Sequence, residues 1–216
     1  MKSLKEQTEA KIEAGRKAKP EFMKGVDDII NKAKSFQQGS EALKIDQKAP
    51  EFTLPNAKGK ATSLQSFLDK GPVVVTFYRG DWCPYCNLQL RALQSKLKEI
   101  QSLGATLIAI SPQVPDGSLT KTEISKMDFT VLSDQNAKVA MAYGVAWEVP
   151  EFLMEHMRVD RGLDLEIINN GNANILPIPA TFILNTDGIV TWNYVNVDYR
   201  TRSEPDEIIE VLKSFS

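Results

Sequence analysis

The chain has two cysteines and one histidine in 216 residues. Two cysteines exclude a disulfide-stapled scaffold. With a single histidine they also fall short of the four Cys or His ligands that a structural zinc site needs; a zinc shared between two copies, each giving a cysteine pair, is the weaker alternative. Long apolar runs are missing too. None approaches the ~18 residues of a membrane span. Charge of one sign is absent, the net value being −2, so nothing in the electrostatics points to nucleic acid or an anionic membrane. The opening stretch "MKSLKEQTEAKIEAGRKAKPEF" is charged throughout and lacks the apolar core of a secretory signal. The expected compartment is cytoplasmic, where a close cysteine pair reads as redox or metal-binding rather than structural.

What is present suffices for one domain with a full core and an appendage, at 42% hydrophobic residues. Residues 1–45 read as an N-terminal helical extension. One helix is expected over 4–18. A second, opened by Pro20, carries Phe22, Met23, Val26, Ile29, Ile30, Ala33 and Phe36 at helical spacing. That stripe must be buried: against its own domain, which is the economical reading, or as the arm of a homodimer. "QQGSEALKIDQKAP" reads as a linker.

Residues 46–216 form the main domain. "VVVTFY" (73–78) is a β-branched run that predicts a central strand buried on both faces. A helix over 84–102 follows, stopped by Gly104. Strands are expected at 105–110 and 129–134, and short helices at 136–144 and 150–157. Residues 168–179 read as irregular. A hairpin turning at Asp187-Gly188 and a final helix near Pro205 close the chain. The fold class is α/β, a mixed central sheet with helices on both faces.

Both cysteines fall in one turn, "RGDWCPYC", between the central strand and the long helix. Pro84 suits the first helical position, which makes Cys83 the N-cap. There its sulfur faces unpaired N–H groups and the positive helix end, and both favour the thiolate. Cys86 lies one turn on, on the same face, so the pair can close a disulfide. The bland alternative, two inert buried thiols, fits poorly with Asp81, Trp82, Pro84 and Tyr85, which suit an exposed corner. His156 reads as a half-exposed helix residue rather than a ligand or base. Pro179 stands just ahead of a strand in "LPIPATFIL", and a cis Ile178–Pro179 bond would bring that turn near the cysteines.

These residues resemble the thioredoxin superfamily. "WCPYC" matches its active-site corner, in the glutaredoxin form Cys-Pro-Tyr-Cys, and "IPATFILNTDGIV" its cis-proline strand and hairpin. "RGDWCPYC", "AISPQ", "FTVLSD" and "VDYRTRSEP" more specifically resemble the peroxiredoxin-like, AhpC/TSA branch, over roughly residues 46–216. In the peroxiredoxin register Pro-x-x-x-Thr-x-x-Cys, this chain has Arg79, Cys83 and Cys86 at the three places. Pro179 stands where that branch has an arginine, and Thr76 where thioredoxins have a buried aspartate.

The resemblance implies a thiol antioxidant that reduces hydroperoxides through a Cys83–Cys86 dithiol/disulfide cycle, with no cofactor and no metal. Arg79, Trp82, Pro84, Tyr85, Ile178 and Pro179 are the expected supporting residues. Thioredoxin, glutaredoxin or glutathione is the implied reductant. A general thiol–disulfide oxidoreductase acting on protein disulfides is the close alternative. A redox sensor or partner-binding protein that uses residues 1–45 is the alternative of another class. Asp198, Tyr199, Arg200 and Arg202 match the family as a polar cluster, with a solvated loop as the competing reading.

Overall fold

The computed structural model describes residues 2–114 and 127–215. Its centre is a five-stranded mixed sheet. The strands are β3 (Val73–Phe77), β4 (Thr106–Ser111), β5 (Thr130–Ser133), β8 (Ala180–Leu184) and β9 (Val190–Val195), in the order β5-β4-β3-β8-β9. β3, β4 and β5 run parallel; β8 and β9 run antiparallel to their neighbours. The expected central strand is therefore central. Its pleat divides its side chains between two layers: Val73, Val75 and Phe77 enter one core, Val74 and Tyr78 the other.

On the second face lie α4 (Pro84–Ser102) and α8 (Pro205–Lys213), which supply Leu90, Leu93, Leu97, Ile208 and Leu212. The first face is covered by α2 (Pro20–Ser35), α3 (Gln65–Leu68), α5 (Lys138–Ala142) and α6 (Glu151–Glu155). Helices on both faces are thus observed. Among the described residues no helix is long and apolar enough to cross a membrane.

The extension is two helices. α1 (Leu4–Ala18) starts in a capping box, with the Glu6 N–H donating to Ser3 Oγ at 3.1 Å and the Ser3 N–H to Glu6 Oε2 at 2.7 Å. α2 begins at Pro20 and buries Met23, Val26, Ile30 and Ala33, the last three in the core of the main domain. Its stripe packs within the chain, which favours self-packing over a dimer arm. Phe36 leaves the expected stripe: α2 ends at Ser35, and the ring is 71% exposed.

The segment expected to be a linker is no free tether. The Asp46 N–H donates to Val190 O and the Val190 N–H to Gln47 O, along β9, and Asn193 holds Leu43 O at 2.6 Å.

Sequence patterning misses two small sheets. β1 (Thr53–Pro55) pairs with β2 (Ala61–Ser63), and β6 (Ala146–Glu148) with β7 (Ile175–Pro177). β7 lies inside the stretch expected to be irregular. It carries no alternating pattern of its own and is shaped by Asn172, whose side chain accepts from the Ile175 N–H and donates to Ile175 O.

The Ile178–Pro179 expectation is corrected here. Among the described residues there is no cis peptide bond. Beyond β7 the Ile178 N–H goes on to Val145 O at 2.7 Å. The chain passes from β7 to β8 extended rather than through a tight turn.

Candidate active site

The site forms where β3 ends and α4 begins. After Phe77 the chain turns through Arg79, Gly80, Asp81 and Trp82, and the Cys83 N–H closes the turn on Gly80 O at 3.2 Å. Gly80 has φ +144, and a Cβ there would lie 2.3 Å from Trp82 Nε1, so the turn needs glycine. Three further contacts pin it. The Asp81 N–H donates to Gln113 Oε1 at 2.9 Å, Asn87 Nδ2 to Asp81 O at 2.7 Å, and Arg161 Nη2 to Trp82 O at 2.9 Å.

Cys83 is the N-cap of α4 and Pro84 its first residue, as the spacing implies. One expectation about this corner is refined and one corrected. The Cys83 sulfur makes no close capping hydrogen bond, but it faces the Cys86 N–H, whose hydrogen bonding helps to lower its pKa. The corner is also not exposed: Cys83 and Cys86 are both buried, as free thiols, at 1% and 0% exposure. Burial comes from groups that local sequence cannot reveal, namely Tyr199 behind β9 and the α2 and α6 walls of the adjoining cavity.

Two arginines make this burial chemically productive. Arg79, only 3% exposed, offers its backbone N–H to Cys86 Sγ at 3.5 Å. Its guanidinium carbon lies 4.3 Å from the Tyr199 ring centre and 5.3 Å from that of Trp82. Arg202, also buried, donates from Nη2 to Cys86 Sγ at 3.1 Å, while its Nη1 donates to Tyr199 O and Thr201 O.

The two thiols titrate as a unit. Burial opposes ionisation of Cys83 most strongly. The hydrogen bond from Cys86, then the charges of Arg79 and Arg202, outweigh it and bring Cys83 down to about 5. Burial and the hydrogen bond to Cys83 hold Cys86 well above the usual thiol range. The pair gives up one proton readily and keeps the other.

Beneath them, at the Thr76 position, there is no carboxylate. Gln89 Nε2 donates to Thr76 Oγ1 at 3.1 Å; Thr76 and Thr181 share a hydroxyl contact of 3.2 Å, and Ser203 Oγ reaches Thr181 at 3.2 Å. This buried chain is uncharged.

A cavity of about 290 Å³ opens beside Cys83. Phe22 and Met23 of α2 form one wall, Leu153 of α6 with His156, Met157 and Arg161 another, and Arg79, Trp82, Tyr85 and Tyr199 the floor. Cys86 does not border it. His156 thus stands in the site, in a π-helical turn (His156–Asp160). Its Nδ1 lies 2.6 Å from Asp160 Oδ2 and its ring centre 3.8 Å from that of Phe22.

The structure brings together Cys83, Cys86, Arg79, Trp82, Pro84 and Tyr85. It does not bring in Ile178 or Pro179: Ile178 packs in the layer opposite the cysteines, and neither residue borders the cavity. Sequence reasoning missed the positions of Arg202 and His156. The cluster "DYRTR" was the available signal for the first; His156 offered none. Among the described residues no group of three His, Cys, Asp or Glu side chains stands close enough to hold a metal ion.

The model of the AhpC/TSA family matches residues 45–193. Among curated proteins, the chain is 29% identical over 168 residues to a chloroplastic peroxiredoxin Q of Populus jackii, covering 78% of this chain and 67% of that one. It is 34% identical over 111 residues to a putative peroxiredoxin bcp of Haemophilus influenzae, covering 51% and 70%. Among solved structures, peroxidoxin BcpB from Mycobacterium tuberculosis superposes with a TM-score of 0.62 at 21% identity, covering 81% of this chain and 99% of that one. A reduced 2-Cys peroxiredoxin of Plasmodium vivax gives 0.59 at 19%, over 79% and 95%. At those identities the two structures speak for the fold alone.

Proposed function

The chain belongs to the AhpC/TSA family and is a peroxiredoxin-like thiol peroxidase, and we propose that Cys83 is its attacking sulfur and Cys86 the resolving one. One observation carries the assignment. Of the two cysteines, Cys83 alone borders the cavity, and it is the thiol whose proton leaves readily.

The Cys83 thiolate attacks the terminal oxygen of a hydroperoxide. The O–O bond breaks, Cys83 becomes a sulfenic acid, and the alkoxide takes a proton from water. The Cys86 thiol then attacks the Cys83 sulfur. A disulfide forms, and the sulfenic hydroxyl leaves as water with the Cys86 proton. Arg202, 3.1 Å from Cys86 Sγ, stabilises the charge that develops on Cys86 in this step. Two electrons and two protons from a thioredoxin, glutaredoxin or glutathione thiol reset the pair, with Cys86 as the leaving thiolate. The proposed setting is a reducing compartment such as the cytoplasm.

A second reading is favoured by the Arg202–Cys86 contact itself. A guanidinium on that sulfur suits Cys86 as the peroxide-attacking residue, in the register where Cys83 replaces a threonine. Trapping the sulfenic acid in single-cysteine variants separates the two. Consumption of hydroperoxide, measured beside insulin reduction, separates peroxidase from disulfide reductase: slow peroxide turnover with rapid insulin reduction would sink the peroxidase.

A further inference from the structure

We propose that Asp27, in the N-terminal extension, is a positioning residue for the dithiol: through Arg200 it fixes the segment that sets the Arg202 guanidinium on Cys86. The inference rests on the reading of Cys83 and Cys86 as the reactive pair.

Residues 196–204 join β9 to α8 and contain neither helix nor strand. Such a segment must be held by its side chains. Within it, Arg200 grips Asp198 with two hydrogen bonds, Nε to Oδ1 at 2.8 Å and Nη2 to Oδ2 at 2.9 Å. This pair stiffens the segment but ties it to nothing else. Thr201 and Ser203 tie the segment to the sheet, Thr201 Oγ1 accepting from the Tyr194 hydroxyl at 3.0 Å and Ser203 Oγ donating to Thr181 Oγ1 at 3.2 Å; the tie to the extension is the ion pair of Arg200 Nη1, 2.7 Å from Asp27 Oδ1 on α2. A second tie comes from the same extension: the Glu204 carboxylate accepts the Leu4 and Lys5 N–H groups at the start of α1, at 3.1 and 2.5 Å.

Arg202 sits between these anchors. Its guanidinium is bonded to Tyr199 O and Thr201 O, the carbonyls on either side of Arg200. Wherever Arg200 is held, Arg202 and Tyr199 follow. Tyr199 in turn carries the Arg79 guanidinium on its ring. A hydrogen bond from a guanidinium to sulfur weakens steeply with distance and angle, so loosening Arg200 loosens the cation at Cys86. The family match ends at residue 193 and starts at residue 45. Both partners of the Asp27–Arg200 pair lie outside it, as do Tyr199 and Arg202, and together they complete a site whose cysteines lie inside it.

The test uses the full-length chain with three substitutions. Asp27→Asn removes the charge and keeps the shape. Asp27→Glu keeps the charge. Arg16→Gln breaks only the outer pair that Asp27 makes with Arg16 at 3.2 Å. The readouts are the rate of Cys83–Cys86 disulfide formation after a peroxide pulse, the midpoint of thiolate absorbance against pH, and the melting temperature. The groups facing the two thiols are Arg79 and Arg202, with Tyr78, Tyr85 and Tyr199, whose hydroxyls burial keeps protonated, and, across the cavity from Cys83, His156 and Arg161. Asp27→Asn should slow disulfide formation by about tenfold and move the thiolate midpoint upward. Asp27→Glu should recover most of both, and Arg16→Gln should change neither. The proposal falls if Asp27→Asn lowers only the melting temperature, or if Arg16→Gln produces the same losses. Full peroxide turnover in Cys86→Ser would instead defeat the dithiol reading, whatever Asp27 does.

Discussion

Arg202 reaches the Cys86 sulfur at 3.1 Å from a position 116 residues further along the chain. Cys83, three residues before Cys86, instead borders the cavity. Two thiols on one helical turn therefore have different surroundings: one faces a cavity, the other a fixed cation.

This asymmetry predicts different phenotypes for the two cysteines. Cys83→Ser should abolish peroxide turnover. Cys86→Ser should allow one oxidation and stop at a sulfenic acid on Cys83, trapped by a dimedone-type reagent and located by mass spectrometry. Sulfenic acid found on Cys86 of Cys83→Ser, with turnover retained, reverses the assignment.

Arg202→Met should slow the resolving step more than the first. Loss of a charge-assisted hydrogen bond is worth about 1.5–3 kcal/mol, so disulfide formation should fall by roughly tenfold or more. Stopped-flow tryptophan fluorescence can follow both phases, with Trp82 beside the pair. Equal slowing of the two phases would mean that Arg202 does not act specifically on Cys86.

The pH dependence has a definite sign. Cys83 ionises at about 5, below the free thiol near 8.5. Alkylation of the reduced protein should rise as pH increases through about 5 and be flat from there to neutrality. Cys86→Ala removes the side-chain donor to Cys83 and should move the midpoint upward. A wild-type midpoint near the free-thiol value would contradict the buried thiolate.

The extension should contribute to global stability. Ile30 on α2 is 2% exposed and belongs to the main core. Ile30→Ala should cost about 2–5 kcal/mol in a urea titration. Phe36→Ala, at an exposed ring, should stay within about 0.5 kcal/mol. Equal effects would mean that α2 does not pack as described.

Much of the fold was legible because its signals are local. The β-branched run 73–78 marked the central strand. Pro84 and Gly104 marked the ends of α4, and Asp187-Gly188 marked the β8–β9 turn. β1, β2, β6 and β7 were not legible, since three-residue strands carry too little periodicity to register. In the site, the Cys83–Pro84–Tyr85–Cys86 corner and Arg79 could be read directly. The depth of the thiols could not, because it depends on α2, α6 and Tyr199 closing over the corner from distant parts of the chain. Arg202 was visible only as one charge in a polar cluster. Sequence cannot distinguish a guanidinium in solvent from one held on the Tyr199 and Thr201 carbonyls and aimed at a sulfur. His156 was set aside because it is a lone histidine far along the chain from the cysteines, and the Phe22 ring it meets comes from α2.

The tie between Asp27 and Arg200 has a consequence for biosynthesis. Of the residues that complete the redox centre, Asp27 precedes the cysteines in the chain, and Arg200 and Arg202 follow them. A nascent chain that already displays Cys83 and Cys86 still lacks Arg202, and α2 still lacks the arginine it holds. Until then the cysteines are ordinary thiols, mostly protonated at neutral pH and slow toward peroxide. Protein unfolded in urea, where the same contacts are missing, should accordingly show thiols of normal acidity in an alkylation titration, and the refolded chain should not.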